Sequence, residues 1–304
     1  MEIIEPSIFQ DRKVTALFTT VDRKDALTVH ASDFGRSDEL HKSEIQKNYA
    51  DLFTEAGLNE HSIALAKQVH GKRVEIVSEP GIYKKCDGLV TRLKGLVLGI
   101  RVADCAAILL ADKNAGIITA IHAGWRGAEA GILPEGLKKM RSLGADPDQI
   151  SAYVSPCISK ARFEVGEEVA QQFPDRFADR KSYDKPHIDI KGYLLSQLEE
   201  FGVKRSRIEL SHECTMGDSK FFSYRRERES AGRMLAPLPE GHIFPMRKFA
   251  GLYRYLTERS IIKKEHVIEP SMVDFTDLLS IHSKRYGMGI WEGSLGRKEI
   301  RKLG

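Results

Sequence analysis

"RVADCAAILLADKNAGIITAIHAGWRG" occupies residues 101–127. Two branched, apolar runs, "AAILLAD" and "IITAIHAG", have strand length and are separated by "KNAG", whose composition turns the chain. Upstream, "GLVLGIRVADC" (95–105) is rich in branched residues and reads as a strand ending on Cys105, which "AAILLAD" continues. The second run carries His122 near its end, and "AGWRG" then leads into "AEAGILPEGLKKMRSLG", which has helical spacing. Strand, turn, strand and helix in this order predict a mixed α/β (α+β) domain. They also put a cysteine and a histidine at strand ends, where side chains are free to do chemistry.

The pattern extends in both directions. "IALAKQV" (63–69) and "RVEIV" (73–77) flank "HGK" and predict a hairpin whose turn carries His70. The proline in "GILPEGL" is expected to kink or split the helix that follows the second run. "ISAYVSPCI" reads as a strand. "GEEVAQQF" and "GYLLSQLEEFG" read as helices, the latter ending on Gly202. Two prolines and a glycine in "MLAPLPEG" interrupt the pattern, which divides the chain into a domain over 1–240 and a small, mainly helical extension over 241–304.

Composition sets outer limits. A hydrophobic share of 41% with 30% charged residues is that of an ordinary globular protein. The net charge of +4, from 47 basic and 43 acidic residues, calls for no nucleic-acid partner. No apolar run suits a bilayer, and the start lacks the basic and apolar regions of a signal peptide. Cys86, Cys105, Cys157 and Cys214 are scattered, without a CxxC pair, so a reducing compartment, the cytoplasm, is expected.

His70, Cys105 and His122 are the candidate chemical groups. Thiolate sulfur and imidazole nitrogen are preferred zinc ligands, and three protein ligands leave a fourth position open. Three other readings use the same residues. Cys105 and His122 can act without metal as nucleophile and base, copper accepts imidazole as readily as zinc does, and each residue can serve structure alone. The glycines and Arg126 of "AGWRGAEAG" suit an anion or a tight turn. "FFSYRRERESAGR" sets two aromatics before an arginine cluster that includes Arg225, which suits stacking with phosphate binding or a solvated face.

"KQVHG", "CDGLVT", "VADC", "IHAGWRG", "FEVGEEV", "HECT" and "FFSYRR" followed by "AGRM" occur here in the order found in the YfiH-like, or laccase-domain, proteins. The resemblance covers roughly residues 15–237. It implies a single α/β domain related in fold to the cytotoxic necrotizing factor toxins, and a zinc site formed by His70, Cys105 and His122. It also implies phosphorolysis of purine nucleosides (adenosine, inosine, guanosine and methylthioadenosine) with adenosine deamination in addition. The older laccase label implies copper-dependent phenol oxidation, but the ten histidines form no His-x-His pairs that would suit a copper cluster. The expected partners are therefore purine nucleosides and phosphate, with Arg126 and Arg225 on the phosphate, and neither nucleic acid nor membrane. A monomer or weak homo-oligomer is expected. The sequence differs from the family pattern in two places: Arg101 and Val102 precede "ADC", and Ser155 stands where glycine is usual.

"GHIFPMRKFAGLYRYL…" through "IHSKRY" and "IRKLG" resembles the opening segment of histone-deacetylase-like enzymes. The metal-binding part of that family is not represented in these residues, so a helical appendage without deacetylase chemistry is expected.

Overall fold

The computed structural model describes residues 2–9, 14–21, 32–35, 42–58 and 62–239, with single positions at 256, 257, 259 and 261. Strands β1 (Ile3–Ile4) and β2 (Phe18–Thr19) precede helix α1 (Lys42–Ala56). Then come β3 (Ile63–Lys67), β4 (Val74–Ile76), β5 (Gly81–Lys84), β6 (Gly88–Thr91) and β7 (Val97–Val102). β8 (Ala106–Asp112) and β9 (Ile117–Ala123) lead into α2 (Trp125–Glu129) and α3 (Ile132–Ser142). β10 (Ile150–Val154), α4 (Glu167–Ala170), β11 (Ala178–Asp179), β12 (His187–Ile188), α5 (Ile190–Phe201), β13 (Ile208–Leu210), α6 (Tyr224–Glu227) and β14 (Met234–Pro239) complete the order.

The fold is mixed α/β, and its two main sheets are of mixed direction. One sheet runs β13-β10-β8-β9-β6-β4 and the other β14-β7-β3-β5. Every residue of β8 and β9 is buried, which explains their unbroken apolar sequence: both faces are covered. Alternate side chains point to opposite faces. Ala107, Leu109 and Ala111 meet Leu98, Ile100 and Ala66 of the second sheet. Ala106, Ile108 and Leu110 belong to the cluster that takes in Leu137 of α3 and Leu194 of α5. Each large aliphatic side chain buried in this way contributes about 1.5–3 kcal/mol.

Four expectations are corrected in detail. β3 and β4 are not a hairpin: β3 pairs in parallel with β5 and β7, whereas β4 pairs in parallel with β6 in the other sheet. The segment carrying His70 is thus a crossing between sheets. β8 likewise does not continue β7 but joins the other sheet, and the break falls at Asp104, whose φ is +78°. The helix after β9 is split by Gly131 (φ +85°) rather than by Pro134. Pro134 lies in the first turn of α3, where a missing N–H costs little. Finally, "MLAPLP" is strand β14, paired antiparallel with β7 from Met234 to Pro239. Its prolines are tolerated because it forms one edge of its sheet.

By compactness the chain divides into Met1–Lys248 and Phe249–Gly304. The deacetylase-like resemblance over 241–304 lies outside the described residues except at four positions. No helix among the described residues is long and apolar enough to cross a membrane. The four cysteines are unpaired.

Candidate metal centre

Two sheet crossings and one strand end bring the three candidate ligands together. His70 follows β3, Cys105 lies in the turn between β7 and β8, and His122 is near the end of β9. One ligand atom from each lies within 4.8 Å of the others. The two imidazoles meet edge to face, with ring centroids 4.8 Å apart.

A single buried carboxylate holds two of the three. Asp87 accepts the backbone N–H groups of His70 and Gly71, each at 2.8 Å, and that of Val69 at 3.1 Å. This fixes His70 in a left-handed conformation (φ +59°) that a non-glycine residue rarely adopts unaided. The same carboxylate contacts His122 Nδ1 at 2.9 Å. An ionised carboxylate only accepts, so Nδ1 carries the proton and Nε2 is left as the ligand atom. Burial pushes the Asp87 carboxyl up, but the bonds from His122, Gly71 and Val69 outweigh it and hold the group below its usual range.

Cys105 is presented by a second pinned carboxylate. Asp104 accepts from Thr215 Oγ1 at 2.6 Å, Ser223 Oγ at 3.0 Å and the Arg225 N–H at 2.7 Å. Its carbonyl accepts the Ile158 N–H at 2.9 Å. Thus "HECT" and "FFSYRR", more than a hundred residues downstream, hold the turn that carries Cys105. Burial opposes ionisation of both Cys105 and His122. Their mutual attraction overcomes it, with help for Cys105 from His70 and for His122 from Asp87. The thiol is lowered and the imidazole raised, toward a thiolate–imidazolium pair in the metal-free chain.

The glycines of "HAGWRG" have a packing reason. A Cβ on Gly124 would lie 3.0 Å from both Cys105 Sγ and His70 Cδ2, and one on Gly127 would lie 2.9 Å from the Gly71 carbonyl oxygen. Two nitrogens and one sulfur converging beside this cleared space fit a zinc or copper ion.

The trio opens onto a cleft of about 1000 Å³. Arg126 and Arg225, singled out in the sequence, line the same cleft. Arg126 is exposed, with its guanidinium 4.4 Å from the Trp125 ring centre. Arg225 donates from Nη1 to the Glu164 carbonyl at 2.9 Å and lies 5.7 Å from the Phe163 ring centre. The two departures from the family pattern differ in kind. Arg101 lines the cleft. Ser155 is buried, and its hydroxyl accepts from Ala107 N–H and donates to the Pro156 carbonyl, both at 2.9 Å. The roles of Asp87 and Asp104 were missed in the sequence. "CDG" and "ADC" flagged their positions, but only the folded chain shows what each carboxylate holds.

A sheet-crossing α/β fold with a His-Cys-His cluster in a basic cleft defines a candidate metalloprotein. A sequence model of the family described as "Multi-copper polyphenol oxidoreductase laccase" matches residues 23–238. The chain belongs to this family. It is similar to a purine nucleoside phosphorylase of Deinococcus radiodurans, with 37% identity over 197 residues, covering 63% of this chain and 76% of the relative. It is also similar to the adenosine deaminase RL5 of an unknown prokaryotic organism, at 31% identity over 242 residues (72% of this chain and 91% of the relative). Among solved structures, Bacillus licheniformis YfiH matches with a TM-score of 0.71 and 25% identity, over 76% of this chain and 94% of that one.

Proposed function

We propose that this chain is a zinc-dependent purine nucleoside phosphorylase that converts a nucleoside and phosphate into free base and ribose 1-phosphate, with adenosine deamination as a second activity. The observation that carries the reading is the opening of the His70–Cys105–His122 set onto a cleft whose wall combines Trp125 and Phe163 with Arg126 and Arg225. Relatives named for both activities support it. Zinc, when bound, would supply Lewis acidity with one coordination position left open.

The chain's own residues supply binding and orientation. Arg126 and Arg225 neutralise phosphate through charge-assisted bonds. The aromatic faces beside them suit a purine. Asp104 holds the backbone of Arg225 and so fixes that arginine relative to Cys105. In the reaction a phosphate oxygen bonds to C1′ as the C1′–N9 bond breaks, the electron pair stays on the base, and the proton lost by phosphate ends on a base nitrogen. Adenosine incubated with and without phosphate tests this: adenine and ribose 1-phosphate should form only with phosphate. Adenine formed without phosphate would replace phosphorolysis with hydrolysis, whereas inosine formed without phosphate reports the deamination.

A second reading has its own observation. Cys105, His122 and Asp87 stand in the order of nucleophile, base and orienting carboxylate, which suits a metal-free hydrolase. The family description adds copper-dependent phenol oxidation as a third. The metal content of the purified chain separates all three.

A further inference from the structure

The cleft has a second basic wall that the phosphorylase reading leaves unused. Lys67 ends β3 and Arg101 lies near the end of β7. The parallel register pairs Leu65 with Gly99, so two residues further along, Lys67 comes level with Arg101. Gln68 locks this end of the sheet: its Oε1 accepts the Arg101 N–H at 3.0 Å, and its Nε2 donates to the Arg101 carbonyl at 2.7 Å. Both cationic side chains line the cleft.

Like charges on neighbouring strands repel, and here no acid offsets them directly. The Arg101 guanidinium donates to the carbonyls of Gly35 at 3.2 Å and Ala66 at 3.4 Å, which are neutral acceptors. Among the described residues neither Lys67 nor Arg101 makes an ion pair. Asp33, beside this wall, uses Oδ1 to accept the backbone N–H groups of Gly35 at 2.9 Å and Arg233 at 2.7 Å. Arg225 also belongs to a neighbouring recess, and Arg126 lies against Trp125, which borders that recess. This recess, of about 420 Å³ and bordered also by Phe163, is touched by neither Lys67 nor Arg101. One inorganic phosphate needs only one such wall, and a neutral nucleoside brings the other no charge.

We propose that Lys67 and Arg101 form a second anion subsite, and that the cleft takes nucleosides that carry their own phosphate, as nucleoside 5′-monophosphates do. The proposal rests on the nucleoside reading for the rest of the substrate. With adenosine 5′-monophosphate, phosphorolysis gives adenine and ribose 1,5-bisphosphate: C1′–N9 breaks with its electrons on the base, phosphate oxygen bonds C1′, and the phosphate proton passes to the base.

Calorimetric titration of the full chain with adenosine, adenosine 5′-monophosphate, ribose 5-phosphate and inorganic phosphate tests it. The monophosphate should bind at least about tenfold more tightly than adenosine, the worth of one charge-assisted hydrogen bond. That advantage should shrink as salt rises. It should fall to within about threefold in Arg101→Met and in Lys67→Met. Lys67 is exposed, so its variant keeps the test open if Arg101→Met disturbs folding. Equal binding of monophosphate and nucleoside by the wild type overturns the subsite, as does an advantage that survives both variants. Ribose 5-phosphate or free phosphate matching the monophosphate in affinity overturns the nucleotide assignment. A Lys67- and Arg101-dependent advantage without turnover of any nucleoside keeps the subsite and rejects phosphorolysis. Phosphorolysis of adenosine without that advantage does the reverse.

Discussion

Asp87 and His122 meet through a 2.9 Å contact between Oδ1 and Nδ1, with both side chains shut away from solvent. Because Asp87 also holds the backbone of His70, one carboxylate positions two metal-site residues. Asp87→Asn should lower zinc affinity by about 10–100-fold, the usual cost of losing such an outer partner. Competition with a chromogenic chelator measures this, and wild-type affinity in a folded variant would remove Asp87 from the account.

The same group gives a pH dependence. Its folded carboxyl lies below the usual range because its hydrogen bonds outweigh burial. The stability it contributes is fully present above an unfolded value of about 3.9 and is lost as pH falls through the lower folded one. Denaturation of the metal-free chain between about pH 5 and pH 2 should show declining stability, with a shallower slope in Asp87→Asn. An unchanged slope would contradict the role.

Gly124→Ala adds a methyl group 3.0 Å from Cys105 Sγ and His70 Cδ2. Such overpacking costs about 1–3 kcal/mol, here concentrated on the metal-site residues. The variant should remain folded by circular dichroism but bind zinc at least about tenfold more weakly. Full zinc affinity would show that the site yields to the methyl group at no cost.

Much of this architecture was legible in the sequence, for a physical reason. β8 and β9 are buried on both faces, so their apolar runs declared them. α5 showed its helical pattern and ends on Gly202, whose φ of +104° only glycine adopts easily. Sheet membership was not legible. Nothing local distinguishes a short loop that folds back as a hairpin from one that crosses to another sheet, and the His70 segment crosses. β14 was hidden by its prolines, which an edge strand accepts. The site showed the same division. His70, Cys105 and His122 were visible as residue types at strand ends, whereas Asp104 acts through Thr215 and Ser223, whose separation in sequence hides the link.

Every residue assigned to the cleft precedes Pro239, and β14 pairs with β7 along six positions. A chain ended after Glu240 should therefore keep its zinc and its nucleoside turnover, and the full chain should not deacetylate acetyl-lysine peptides. A chain ended after Arg233 loses β14 and should fail to fold stably. Retained folding without β14, or turnover lost in a folded 1–240 chain, would move the boundary of the active unit.

The most direct test of the metal centre is elemental analysis of the purified full chain beside its Cys105→Ala variant. A zinc centre on His70, Cys105 and His122 gives about one zinc per wild-type chain and none in the variant. A wild-type chain without zinc, or a Cys105→Ala chain that keeps its full complement, would contradict it.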